Sequence, residues 1–255
     1  MAKRQRLDAE LVEQGYFTNT EEALRAVMAG EVSTSDRRLT SAGEQVLRGI
    51  PLHVKGRSSY VSRGGLKLER GLDFFGVDPA GLRCVDVGCS TGGFTDCLLS
   101  RGATHVTSVD VGYAQFDWSL RQDARVRLLE RTNIVDVPAI VGVGGFDLAV
   151  CDVSFTSVLT VLPAVCDLLA PDAAFLTLVK PQFEAAREEV GEGGIVRDES
   201  VRAACVSRVA AAFEDAGLSV RGTCESPIRG HKGNVEFLLL GTRGSFVATG
   251  ENNAC

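Results

Sequence analysis

Histidine is scarce in this chain, three residues in 255, and the three are scattered. None of the eight cysteines (84, 89, 97, 151, 166, 205, 224 and 255) belongs to a C-x-x-C pair, so no zinc cluster of recognisable spacing exists and no metal is expected. Several cysteines sit inside apolar runs such as "LRCVDVG" and "LAVCDV". That is the pattern of small buried hydrophobes in a reducing compartment, not of a disulfide framework. No apolar run reaches the length of a membrane helix. "MAKRQRLDAELVEQG" has no apolar stretch behind its basic residues, unlike a secretory signal. These absences exclude disulfide-stapled, zinc-ribbon and helical membrane classes, and make a cytoplasmic globular protein the simplest expectation.

What is present is ordinary globular composition, 45% hydrophobic and 24% charged, enough for a sizeable core. The net charge of −6 is uneven. Residues 1–70 hold 12 Lys and Arg against 9 Asp and Glu, and the remainder holds 15 against 24. A mildly basic head on an acidic body hints at a polyanionic partner, although ordinary surface charge gives the same tilt. In the head, Leu7, Leu11 and Val12 recur at helical spacing. Thr20 is placed to cap a second helix with Ala23, Leu24, Val27 and Met28 inward. β-like pieces "EVSTS" and "EQVLRGIPLHV" complete a small α+β domain over 1–54, and "KGRSS" (55–59) reads as a linker. From residue 60 strands and helices alternate: "LRCVDVG", "THVTSVDV", "VRLLE", "FDLAVCDV" and "AAFLTLVK" as strands, and 65–77, 92–102, 114–123, 157–170 and roughly 198–216 as helices. "LSVRGTCES" and "NVEFLLLGT" form a terminal antiparallel pair. The expected fold is α/β, a Rossmann-like doubly wound sheet over 60–241, with 242–255 as a frayed tail.

"VDVGCSTGGFTD" (85–96) is a strand, a glycine-rich turn and a helix start, the place where a doubly wound sheet binds its ligand. Gly88 permits the turn; Gly92 and Gly93 permit close approach. Asp110 ends the next strand, about 20 residues on, where an acid takes ribose hydroxyls. The dinucleotide fingerprint needs a glycine where Ser90 stands, so a nucleoside without phosphates fits better. The acidic surroundings (Asp86, Asp96, Asp110) also suit a cation. S-adenosylmethionine meets both conditions, with a dinucleotide or a purely structural turn as the alternatives.

The apolar strand "AAFLTLV" ends on Lys180, and an ammonium there must be paired or used. Asp152 ends the "DLAVC" strand, a plausible neighbour. Lys67 lies on the helix before the first strand, and Glu236 lies on the terminal strand. Taken singly, Lys180–Asp152 is either a structural ion pair or a functional one, and Lys67 and Glu236 are either surface charges or site residues. Two lysines and two carboxylates suit methyl transfer to a hydroxyl. One amine, made easier to deprotonate by its like-charged neighbour, takes the proton, and the acids hold both amines in place.

The segments "YVSRGGLKLE", "DVGCSTGGFTDCLL", "SVDVGY", "ERTN", "CDVSF", "LVKPQFEA", "VGEGGIVRD" and "SPIRGHKGNVEFLL" resemble, in order, the TlyA family of ribosomal RNA 2′-O-methyltransferases, historically labelled hemolysins. The likeness covers residues ~4–241 and is specific because many independent segments fall in sequence. It implies a ribosomal-protein-S-four-type RNA-binding domain joined to an FtsJ-like methyltransferase domain. It further implies Lys67, Asp152, Lys180 and Glu236 as a catalytic tetrad, and S-adenosylmethionine contacts from Gly88, Ser90, Gly92, Gly93, Asp110 and Asn133. The implied substrate is a cytidine ribose in small-subunit rRNA and, because the N-terminal domain is complete, in large-subunit rRNA as well. The head departs from the family where an "SR" pair and an Asn-Gly turn are usual, reading "NTEEA" and "STSDRR". Arg37 and Arg38 are placed to compensate. Candidate RNA contacts are Arg4, Arg6, Arg25, Arg37, Arg38, Lys55, Arg57 and Arg63, since phosphate contacts come mainly from Lys and Arg. The competing functions are a catalytically silent RNA-binding protein and a membrane-active toxin, the latter lacking any spanning segment.

Overall fold

The structure is a computed structural model. It describes residues 4–248 apart from 15, 35–36, 49, 51 and 56–59. The chain divides into two compact units, Met1–Val61 and Ser62–Cys255.

The smaller unit opens with β1 (Arg4–Arg6), continues through α1 (Leu7–Glu13) and α2 (Thr20–Met28), and closes with β2 (Val32–Ser33), β3 (Gln45–Leu47) and β4 (His53–Val54). β1 pairs antiparallel with β3, and β2 with β4. Leu7 and Leu11 of α1 share a buried cluster with Ala23, Ala26 and Val27 of α2, and with Leu39, Val46 and Leu52. Two expectations for α2 change. Its N-cap is Asn19, whose side chain accepts from the Glu22 N–H at 2.9 Å, because the extended backbone of residue 19 aims that side chain at the helix start. Leu24 and Met28 face solvent, 40% and 76% exposed, while Ala26 turns inward. The small side chains of Ala23 and Ala26 let the two helices approach closely. β1 was not expected either, since "RQR" has no apolar alternation.

The larger unit begins with α3 (Gly64–Phe75) and then alternates: β5 (Arg83–Val87), α4 (Gly93–Ser100), β6 (His105–Val109), α5 (Trp118–Arg121), β7 (Val126–Leu129), α6 (Val137–Val141), β8 (Phe146–Cys151), α7 (Val158–Leu168), β9 (Leu169–Val179), α8 (Pro181–Glu184), α9 (Glu199–Asp215), β10 (Ser219–Glu225) and β11 (Phe237–Arg243). Among the described residues these strands form a seven-stranded sheet ordered β10-β11-β9-β8-β5-β6-β7. β5 to β9 run parallel, and β11 lies antiparallel between β9 and β10. Side chains of β9 alternate across the sheet. Phe175 stacks on Phe213 of α9 at 4.9 Å, whereas Leu176 packs against Gly71 of α3, so both faces are covered. Four boundaries move. β9 begins at Leu169 and not at Ala173, taking the last two residues of the helix expected over 157–170. The helix expected over 114–123 is only α5, capped by Asp117, because Phe116 is buried ahead of it. Glu236 stands one residue before β11 rather than on it. β11 runs past Gly241 to Arg243, whose guanidinium donates to the carbonyls of Leu169 and Ala170. Ser245 is then tied to Asp172 at 2.6 Å, so these bonds replace the expected fraying up to that point. Residues 249–255 lie outside the described residues.

Candidate active site

The strand order reverses between β5 and β8, and the loops after those strands meet. A Cβ at Gly88 (φ +81°) would stand 3.0 Å from the Asp152 carbonyl, so only glycine suits this crossing. A Cβ at Gly93 would overlap Ser62 Oγ and approach the Gly65 nitrogen to 2.9 Å, so its absence lets the start of α3 lie on the start of α4. These loops frame a cleft of about 1120 Å³ that is also lined by Lys67, Ser90, Asp152, Lys180 and Glu236.

The four charged residues converge there as two pairs. Lys180 Nζ lies 2.5 Å from Asp152 Oδ1 and donates to Ser154 Oγ at 2.8 Å. Lys67 Nζ donates to Glu236 Oε2 at 2.6 Å, and Gln182 supports the other Glu236 oxygen at 3.2 Å. Register explains the convergence. Phe237 pairs with Val179, so Glu236 and Lys180 stand at one level at the sheet's end. Cys151 of β8 pairs with Thr177 of β9, which carries Asp152 to the same end.

The loop residues divide. Gly88, Ser90 and Gly93 line the cleft. Asp110 lines a neighbouring recess with Cys89, Ser90 and Tyr113. There it accepts from the Ser90 N–H at 2.7 Å and the Gly112 N–H at 2.6 Å. Gly92 instead faces Phe116 and Leu120. Asp86 is fully buried away from the cleft and accepts from Thr95 Oγ1 at 2.6 Å, in a cluster completed by Ser108. Burial pushes its carboxyl up to about 7. Asn133 is exposed and caps the short 3₁₀ turn Ile134–Asp136. Asp86, Gly92 and Asn133 are thus placed in packing and capping positions, and none of the three lines the cleft. For Asp86 the cause is the strand's two-residue period, which turns it beneath α4.

The FtsJ-like methyltransferase profile matches residues 60–243, most of the chain. The chain belongs to the FtsJ-like methyltransferase family. Relatives of this methyltransferase extend the match to the small unit. A Bacillus subtilis protein, YqxC, provisionally named an rRNA methyltransferase, is 48% identical over 93% of this chain and 85% of its own length. The 16S/23S rRNA (cytidine-2′-O)-methyltransferase TlyA of Mycobacterium tuberculosis is 44% identical over 94% and 90%. A solved hemolysin-named protein from Streptococcus thermophilus is 41% identical with a TM-score of 0.71, covering 96% of this chain and 90% of that one.

The basic candidates of this methyltransferase differ in availability. Arg6, Arg25 and Arg37 pair with Asp8, Glu21 and Glu44. Arg4, Arg38 and Lys55 are exposed and have no acidic partner among the described residues. Arg63 belongs to the larger unit, where it lines the cleft, and Arg57 lies outside the described residues. Sequence reasoning missed Ser154, Gln182 and Phe155. Phe155 lines the cleft 92% exposed at φ +63°, its ring 5.4 Å from that of Phe183. The signal was an aromatic next to the strand-ending "CDVS", where a bulky residue in the left-handed region is unusual. No described helix is long and apolar enough to cross a membrane. No described cluster of His, Cys, Asp or Glu could hold a metal ion.

Proposed function

We propose that this methyltransferase moves a methyl group from S-adenosylmethionine to the 2′-hydroxyl of a cytidine ribose in ribosomal RNA, in the small subunit and, as for the relative named for both 16S and 23S rRNA, in the large subunit too. The observation that carries the reading is the meeting of Lys67–Glu236 and Lys180–Asp152 in one cleft beside the glycine loop.

The residues present fit this cofactor. Each Asp110 oxygen accepts one backbone N–H and keeps lone-pair capacity for a ribose hydroxyl. Gly88 and Gly93 leave the loop open to close approach, and the carboxylates of Asp110 and Asp152 suit a positively charged ligand. When bound, S-adenosylmethionine supplies a methyl already activated by its sulfonium, so alignment and proton removal are what the protein adds. The Lys180 amine, once it has given up its own proton, takes that of the ribose hydroxyl, and Asp152 stabilises the ammonium that results. Lys67, fixed by Glu236 and through it by Gln182, holds the hydroxyl oxygen in line. Phe155 offers an exposed ring on which the target base stacks.

In the same reading, residues 1–54 are a ribosomal-protein-S-four-type RNA-binding domain and 55–59 its linker to the methyltransferase domain at 60–241. Arg4, Arg38 and Lys55, which have no acidic partner among the described residues, and Arg63 at the cleft contact RNA phosphates, and assembled ribosomal particles in the cytoplasm are the substrate. The test is to incubate purified ribosomal subunits with the protein and S-adenosylmethionine and to map 2′-O-methyl marks. A new mark on a cytidine is expected in each subunit. Cofactor binding without any new mark would replace the enzyme reading with a silent RNA-binding one.

A further inference from the structure

The pentapeptide Lys180-Pro181-Gln182-Phe183-Glu184 touches both carboxylates of the proposed tetrad and the exposed aromatic of the cleft. Lys180 reaches Asp152 and Ser154, Gln182 reaches Glu236, and the Phe183 ring meets Phe155. Its last residue points elsewhere. Glu184 is 8% exposed, a buried carboxylate outside the reacting set. Its Oε2 accepts from Ser157 Oγ at 2.5 Å, and its Oε1 accepts from the Val158 N–H at 2.8 Å. Ser157 in turn caps α7, accepting from the Leu159 N–H at 3.1 Å. Glu184 thus satisfies donors at the start of an eleven-residue helix, where the free N–H groups and the helix dipole favour negative charge. Its own carbonyl is taken by the Arg208 guanidinium of α9.

Between β8 and α7 runs the loop 152–157, which carries Asp152, Ser154 and Phe155. Its backbone is poorly tied. Asp152 N donates to the Val87 carbonyl at 3.0 Å, and no backbone N–H from 153 to 157 has a backbone partner among the described residues. Phe155 sits within it at φ +63°. One end of the loop is held by Lys180, the group proposed to do the chemistry, and the other by Glu184. Both anchors belong to the same five residues.

We infer that Glu184 is a positioning residue. It braces the loop 152–157 against the Lys180 segment, so that the Lys180–Asp152 separation and the pose of Phe155 are set by a buried carboxylate and not by the reacting amine. The inference rests on the proposed function for its catalytic consequence and on the bonds alone for its mechanical one.

The test uses the full-length chain and has two readouts. In hydrogen–deuterium exchange without RNA, Glu184→Ala speeds exchange of the Val158, Leu159 and Thr160 amides about 10–100-fold, the factor expected for losing hydrogen bonds to a buried charge, and leaves 85–93 unchanged. In turnover on ribosomal subunits, kcat falls about 10–100-fold as for a misplacement near one ångström, while KM for RNA and calorimetric affinity for S-adenosylmethionine stay within about twofold. Glu184→Gln, whose amide still accepts from Val158 N–H and donates to Ser157 Oγ, restores most of the rate. Wild-type exchange and wild-type kcat in Glu184→Ala overturn the inference. So does a loss of rate accompanied by an equal loss of cofactor affinity and faster exchange throughout the unit, the mark of plain destabilisation. If Glu184→Ala does not fold, Ser157→Ala decides, with an intermediate loss expected and no loss overturning. A wild-type protein that leaves no mark on rRNA sinks the proposed function, and the exchange data still judge the brace.

Discussion

Two ion pairs with nearly the same geometry sit in opposite settings. Arg25–Glu21 on the small unit is 2.7 Å long with side chains 71% and 76% exposed, whereas Lys67–Glu236 in the cleft is 2.6 Å long with side chains 13% and 3% exposed. The first is hydrated and screened, one helical turn apart, and adds little. The second has surrendered its water, joins residues 169 positions apart and stands at the ends of parallel strands. Distance alone says nothing about function. Burial at the mouth of a ligand cleft does, because keeping charge there is costly unless it is used.

The sharpest way to break this contrast is Lys180→Ala. Methylation should fall about 10²–10⁴-fold, the usual worth of a positioned base, with S-adenosylmethionine binding kept in calorimetry. A wild-type rate would return Lys180–Asp152 to the class of structural pairs. Next is Glu236→Ala, which leaves the half-buried Lys67 ammonium without its carboxylate. Urea unfolding should show a loss of about 1–3 kcal/mol. Glu21→Ala should leave the unfolding midpoint unmoved within error, and equal losses at the two sites would erase the distinction.

Asp86 sharpens the comparison by removing the cation. Its carboxyl is lifted by burial from 3.8 to about 7, so the folded state holds the proton more tightly than the unfolded one. Its contribution to stability is therefore present below pH ~4, declines as pH rises toward 7 and stays lost above it. Asp86→Asn should pull ahead of wild type between pH 5 and 8 by about 3 kcal/mol in urea unfolding, and a constant gap over that range would contradict the assignment. The smallest effects belong to the head. Arg38→Ala or Lys55→Ala should reduce the slope of log binding constant against log salt for rRNA by about 1. Arg25→Ala, whose charge is already matched by Glu21, should change it less, and equal slopes would mean that pairing on this surface does not withhold charge from RNA.

The α/β alternation was readable because β5, β6 and β8 are apolar runs closed by Gly88, Asp110 and Asp152, and α9 falls within a residue of its expected ends at both sides. The head was harder to read. β1 is built from charged and polar residues and exists only through its pairing with β3, from Arg4 opposite Leu47 to Arg6 opposite Gln45. α2 carries two apolar stripes, and periodicity does not say which one a neighbouring helix will accept. At the site, Lys180 and Asp152 announced themselves as charges ending core strands. Ser154 and Gln182 did not, because a serine and a glutamine near a strand end look like ordinary loop residues until a lysine and a glutamate are found against them.

By itself, then, the order of residues determined where strands end, that glycine must follow the first of them, and which charges stand at those ends. These are local matters of backbone freedom and desolvation. Only the tertiary structure decided that Lys67 meets Glu236, that Asp86 turns under α4 and that Glu184 reaches α7. The first of these depends on β11 entering antiparallel beside β9 in one register, and a shift of one residue would turn its side chains to the other face of the sheet.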